Sequence, residues 1–492
     1  MHNFEPKKVI AVGLQARHLP VPTTYDPSED PPGSIDPLGT LGGAERIAEV
    51  LFPGLTARMW RPRLLTFAAM ASVVAERLPP QAQGVQENAW QAARLGFERL
   101  FVSAVVRQQL SQPAERGRAT RRLPGSSLAR RALRAGDEPL GRSNFLKGQA
   151  VNGPYGVLAR LARHLNIVDE DDRLGRSGEE LLLAWAVDEG LPGLLDEDKG
   201  GSPGRQWLDR FVQTTASHVA EARWMRPGWS GWQDLAGRLR PDKVGREERR
   251  VLRNLLNGDA IRARCLELLC EPQVVSLFRS ARDSGGRGNQ DRTVLLEGIL
   301  PSLFVGEHKE DRVIELTVHL ADAYEEVASL LEAAFNGLLW GLTHRGGQAE
   351  PAELEADVHL LPVFRSICQQ LPPSARRLQY LVVKIPSVPQ VQDLNPIPPL
   401  DGLASQALSA AESPARLIET VISRHRDVQN PKRKGMWIEL GERWTLLPGF
   451  GWAADAPPKP EVVYLHTFRV PNAYSFLGEL GLAGMEVPDG EA

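Results

Sequence analysis

Gly153-Pro154-Tyr-Gly-Val157-Leu158-Ala-Arg-Leu161-Ala-Arg-His-Leu165, then Ile167-Val168, Asp169-Glu-Asp-Asp172, Leu174, and Ser177-Gly-Glu-Glu180-Leu181 through Val187, is the stretch whose reading decides the fold. Val157, Leu158, Leu161 and Leu165 recur at helical spacing, so the first part predicts a helix opened by Pro154. Ile167-Val168, the acidic turn and Leu174 predict a short hairpin. Ser177 with Glu180 predicts a capping box that starts a second helix over Leu181 to Val187. Helix, hairpin, helix is the outline of a winged helix. A wing that reads DNA carries Lys or Arg toward the backbone. Here the turn is acidic and would repel phosphate, so the module is expected to be architectural or protein-binding.

Outward from this stretch the chain reads as helical. A short helix is expected over Gly43 to Leu51, stopped by Pro53-Gly54, and Pro62 to Leu78 is apolar on nearly all sides, as a buried helix would be. Gln86 to Gln109 continues as helix. Residues 206–340 are helical, with a long stretch from Ile314 to Leu342 that Arg345-Gly-Gly stops. Ser413-Pro414 opens a helix carrying Leu417, Ile418, Val421 and Ile422. Tyr380-Leu-Val-Val-Lys-Ile385 is the best strand candidate. From Met436 the pattern turns β, at Trp437-Ile438, Trp444 to Leu447 and Val462 to Leu465, before a short helix over Ala473 to Leu480. Residues 17–39, 192–205, 283–289 and 386–399 read as Pro- or Gly-rich arms and loops. The expected fold is therefore mostly α and multi-domain, with an internal winged-helix-like module and a small C-terminal α/β piece. The expected divisions are an N-terminal helical domain with a Pro-rich arm (1–109), an Arg-rich loop segment (110–147), the winged-helix-like module (148–191), a helical domain (206–385) and the C-terminal module (413–492).

The chain has 492 residues, 42% of them hydrophobic, which suffices for roughly two to four cores. The apolar run Leu64 to Val74 is shorter than the ~18 residues a membrane span needs. Met1-His-Asn-Phe-Glu-Pro-Lys-Lys lacks the order of a secretory signal. Three cysteines, Cys265, Cys270 and Cys368, fit a reducing cytoplasm better than a disulfide framework. The expected location is cytoplasmic, with no membrane partner.

Net charge is −3, yet it is unevenly spread. Between Arg107 and Lys147 ten basic residues face three acidic ones, a net of +7, and between Leu235 and Arg264 nine face four, a net of +5. Arg116, Arg118, Arg121, Arg122, Arg130, Arg131 and Arg134 suit phosphate because guanidinium forks bind its oxygens in pairs. Arg424, His425, Lys432, Arg433 and Lys434, followed by Trp437 and Trp444, have the mixture of cations and aromatics that fits phosphates with stacked bases. The alternative for both clusters is a solvated surface whose arginines reflect a GC-rich bacterial genome, or cations placed to match a helix dipole. The other tryptophans read as core.

Catalytic and cofactor signatures are not found. Cys265 and Cys270 lack further ligands at zinc spacing. Gly285-Gly-Arg-Gly288 lacks the strand before and the Lys-Ser/Thr after that make a phosphate loop, and Ser126-Ser127 lacks nucleophile-elbow spacing. His319 reads as a core or boundary histidine. Lys384 has Val382, not an acid, beside it. Asp322 with Glu325-Glu326 on the long helix is the one carboxylate group that could serve a metal nuclease. No metal or cofactor is expected, and an enzymatic role less than a binding one.

Further segments add a resemblance. They are Leu51-Phe-Pro-Gly-Leu-Thr56 with Arg58, Arg61 and Arg63, then Gly148-Gln-Ala-Val-Asn-Gly-Pro-Tyr-Gly156. Towards the end they are Arg424-His425 with Val428-Gln429, Trp444, Pro448, Tyr464, His466, Arg469 and Leu480. Together these resemble an uncharacterised bacterial protein family encoded beside phage-defence and DNA-modification genes. The resemblance implies company, such as a helicase or a nuclease, and hence a non-catalytic accessory subunit that touches nucleic acid. A metal-dependent nuclease and a purely protein-binding scaffold are the alternatives.

Overall fold

The structure is a computed structural model that describes residues 36–78, 89–112, 118–141, 143–197, 201–221, 224–283, 294–304, 308–384, 398–432, 435–466 and 468–482. It is mostly α, and it divides into two compact units, neither continuous in sequence. One comprises residues 1–52 and 267–471, the other 53–266 and 472–492. Expected loops at 17–35, 284–289 and 386–397 lie outside the described residues.

The first unit is built on the helix Lys309–His344, which buries Leu320, Tyr324, Val327, Leu331, Phe335, Leu338 and Leu342 along its length. It ends as expected at Arg345, with Gly346 and Gly347 both at positive φ (73° and 89°), where glycine alone carries no Cβ penalty. Leu360–Lys384 packs along it, followed by Pro398–Ala410 and Pro414–Gln429. The last helix is capped as expected: Ser413 Oγ accepts from Arg416 N at 3.2 Å, and Pro414 occupies the first turn. The β elements are small. Gln348–Ala349 (β1), Ile438–Glu439 (β2) and Trp444–Leu446 (β3) form one antiparallel sheet in the order β1-β3-β2, with Gln348 opposite Thr445 and Ile438 opposite Leu446.

Two strand expectations are corrected here. Tyr380 to Lys384 is not a strand: these residues are the last turn of Leu360–Lys384, despite Pro372 and Pro373 in its interior, and Ile385 lies outside the described residues. Phe364, Ile367, Leu371, Ala375, Leu378 and Val382 fall on one helical stripe and are buried, while Tyr380 and Val383 point to solvent. Packing of that stripe outweighs both the β-branched composition and the two missing N–H donors. Val462 to Leu465 likewise forms no strand. Its Leu465 N–H is engaged by a side chain, the carboxylate of Glu325, instead of by a neighbouring strand.

The second unit surrounds Arg63–Glu76, whose residues from Arg63 to Ala75 are all buried. Ala89–Ser111, Pro154–His164, Arg176–Asp188 and Pro203–Glu221 pack on it. Phe67 stacks on Phe101 (4.2 Å between centroids) and Phe97 (5.7 Å) at its centre. The 153–188 stretch is helix, bridge, helix: Val168 pairs with Leu174, and Asp169 N–H donates to Arg173 O at 2.9 Å. The Ser177–Glu180 capping box does not form. The helix starts at Arg176 with Gly175 as its cap, and Ser177 N–H donates to Asn166 O at 3.0 Å. A Cβ on Gly175 would stand 2.3 Å from that same carbonyl, so the helix can sit this close only behind a glycine. Among the described residues no helix is long and apolar enough to cross a membrane.

Candidate nucleic-acid interface

The Arg-rich segment of the second unit is held by its own backbone. Arg61 donates to the carbonyls of Arg118 (2.7 Å) and Arg121 (3.2 Å) and pairs with Glu479, which pins the 118–122 turn. The helix Ser126–Arg134 follows Gly125, at φ 80° and packed on Phe145. It buries only Ala129 and Ala132 and turns Arg131 and Arg134 outward. Arg118, Arg131 and Arg134 are exposed and Arg121 half-buried. Arg131 and Arg134 lie in the last turn, where cations also suit the helix dipole.

Two other arginines of the segment are committed internally. Arg130 donates to Gln109 and Thr120, each at 3.3 Å. The guanidinium of Arg122 lies 3.5 Å from the ring centre of Trp60, a cation–π contact. Burial, reinforced by the neighbouring charges of Arg121 and Arg61, pulls the Arg122 pKa down to about 10. Arg116 lies outside the described residues.

The second cluster, in the first unit, is placed differently. Arg424 Nε donates to Leu38 O at 2.6 Å and Nη1 to Gln406 at 2.8 Å. His425 is fully buried, with Nδ1 2.9 Å from Pro37 O and Nε2 accepting Trp437 N–H at 3.0 Å. Those contacts fix a neutral tautomer, and burial, with the charge of Lys432, holds its pKa below the usual imidazole range. Lys432 Nζ reaches Asp36 O at 3.4 Å. Arg433 and Lys434 lie outside the described residues. Trp437 is buried and stacks on Phe450 at 4.7 Å. His425 and Trp437 therefore have no face for a phosphate or a base, and Arg424 serves as a tie between sequence-distant segments.

The carboxylates Asp322, Glu325 and Glu326 of the long helix are also committed. Arg377 Nη1 bridges Asp322 (2.5 Å) and Glu326 (2.9 Å). Glu325, fully buried, accepts from His466 Nδ1 at 2.5 Å, and the ring's pKa rises to about 9 because that attraction outweighs burial. Among the described residues no three His, Cys, Asp or Glu side chains gather as a metal site.

No family model, curated protein or solved structure matches this chain.

A further group of aromatic and cationic residues, which the sequence pattern assigns to the core, lies at Trp224-Met-Arg-Pro-Gly-Trp229-Ser-Gly-Trp232. Trp232 is buried at the start of Gly231–Arg238, while Trp224 and Trp229 are half-buried and Arg226 is exposed. Arg210 lies 5.2 Å from the ring centre of Trp229. Arg107, near the end of Ala89–Ser111, joins this loop to the basic segment: its guanidinium lies 4.7 Å from the Trp232 ring centre and pairs with Asp137. The available signal was three tryptophans interleaved with Arg226 and a Pro-Gly turn, the same mixture that drew attention to Trp437.

Proposed function

We propose that this chain is a non-catalytic accessory subunit of a bacterial anti-phage defence assembly that associates with nucleic acid through the Arg118–Arg134 segment. One observation carries the reading: a short helix and its preceding turn direct Arg118, Arg131 and Arg134 to solvent, while Arg61 holds the carbonyls of Arg118 and Arg121 and Arg130 holds the side chains of Gln109 and Thr120. Arginines that brace the turn internally fix the backbone from which these cations project, so less backbone freedom is lost when phosphate binds. The defence setting, and a helicase or nuclease as partner in a cytoplasmic complex, follow from the family resemblance. The 148–191 stretch is read as a winged-helix-like module with an architectural role. Arg94 (2.6 Å) and Arg163 (2.6 Å) clamp Asp172 of its turn, and although burial opposes them they hold that carboxyl below its usual range.

The test is the salt dependence of binding. Each phosphate contact contributes about 0.9 to the slope of log affinity against log salt. Arg118→Gln, Arg121→Gln, Arg131→Gln and Arg134→Gln together should flatten that slope by about three to four. Binding to neither DNA nor RNA at low ionic strength would leave the protein scaffold as the better account. Magnesium-dependent strand cleavage lost on Asp322→Ala with Glu326→Ala would replace it with the nuclease.

A further inference from the structure

We infer that the Trp224–Trp232 loop is a stacking site for an unpaired nucleobase, so that the chain prefers single-stranded nucleic acid to duplex. The inference rests on the nucleic-acid reading above and names the form of ligand.

The loop is built as a platform. Trp232 is the buried post: its Nε1 donates to Arg226 O at 3.0 Å, closing the Pro227-Gly228 turn. Trp229 stands nearly perpendicular to it (87°, 5.1 Å) and edge-on to Phe211 (69°, 5.8 Å), which fixes the ring from two sides. A Cβ on Gly231 would meet Trp229 ring atoms at 2.2 to 2.5 Å, so the indole lies directly against the helix start and glycine makes room for it. Packing alone accounts for Trp232. It leaves Trp229 half-open, next to exposed Arg226 and Ser230.

Charge completes the site. Arg210, its side chain 37% exposed, is aimed by Ser230 Oγ (2.8 Å) and Asp234 (3.5 Å) toward the Trp229 ring. Arg210 thus supplies a cation at the indole, exposed Arg226 stands in the same loop, and Arg107 ties the loop to the basic segment. Stacking of this kind tolerates any base, because every base has a π-face. Duplex bases are already stacked on one another and gain nothing from the indole.

The full chain is tested by fluorescence anisotropy with a labelled oligothymidine of about 20 nucleotides and a blunt duplex of the same length, a size set by the footprint of known single-strand binders. Wild type should bind the single strand more tightly. Trp229→Ala should weaken single-strand binding about ten-fold and duplex binding less than about two-fold, and Trp229→Phe should recover most of the loss. Where the alanine variant fails to fold, Trp229→Phe decides by a second readout: single-strand quenching of tryptophan emission must shrink, and unchanged quenching counts against the site. Equal affinity for both forms, or an alanine variant that binds like wild type, overturns the stacking site while the phosphate reading stands. A wild-type chain that binds neither form overturns both.

Discussion

Glu98 shows how a single side chain can organise a segment. It is fully buried, accepts Gln149 Nε2 at 2.7 Å and Tyr155 N–H at 3.0 Å, and sits at the start of Pro154–His164. Burial pushes its carboxyl up to about 7, against those hydrogen bonds and the charges of Arg94 and Arg99. Gly153 is what lets the carboxylate approach, since a Cβ there would stand 2.0 Å from Glu98 Oε1. Gly153→Ala must therefore displace a buried, multiply bonded group, and overpacking of this kind costs about 1–3 kcal/mol. Thermal unfolding should move down by several degrees, and an unchanged midpoint would show that the helix start is not built around Glu98. The same contacts explain the Gly148 to Gly156 motif as architecture. Its partners lie about 50 positions away (|i−j| of 51 and 57), which is why the motif could be noticed in the sequence but its role could not. His425 makes the complementary point. Placed between Arg424 and Arg426 it reads as surface, yet both ring nitrogens are used internally, Nδ1 388 positions away.

Helices were legible where one face of the sequence is apolar and a cap is local. Arg63–Glu76, Lys309–His344 and the Ser413 cap follow from residues adjacent to them. Leu360–Lys384 was misread at its end because Tyr380-Leu-Val-Val is β-favouring in isolation and only the long helix beside it selects the helical face. Val470–Glu479 was visible as a helix, but not what it serves. Asn472 Nδ2 donates to Ala57 O (2.9 Å) and Met59 O (3.0 Å), Ser475 Oγ to Trp60 O (2.8 Å), and Arg253 Nε to Leu480 O (3.0 Å). Phe476 and Leu477 are buried with them. Truncation after Pro471 orphans those carbonyls and removes two core side chains, each worth about 2–5 kcal/mol. Hydrogen exchange should then accelerate in residues 57–76, with Lys309–His344 still protected. Protection retained at 57–61 would contradict this role.

Across the whole molecule, neither unit is a continuous stretch of chain, so divisions drawn from composition could not anticipate them. Local charge was the more informative signal at this scale. The +7 between Arg107 and Lys147 marks the segment whose arginines reach solvent. The Arg424–Lys434 cluster looks similar in sequence, yet its described members hold residues 36–38 and Gln406. The difference lies in partners hundreds of positions away, which charge counting does not see. The most direct measurement is photocrosslinking of the full chain to a single-stranded oligonucleotide carrying 4-thiothymidine, with crosslinked peptides identified by mass spectrometry. The account predicts crosslinks within residues 118–134 and at Trp224–Trp232. Crosslinks confined to residues 424–444, or none at an ionic strength where the oligonucleotide is bound, would contradict it.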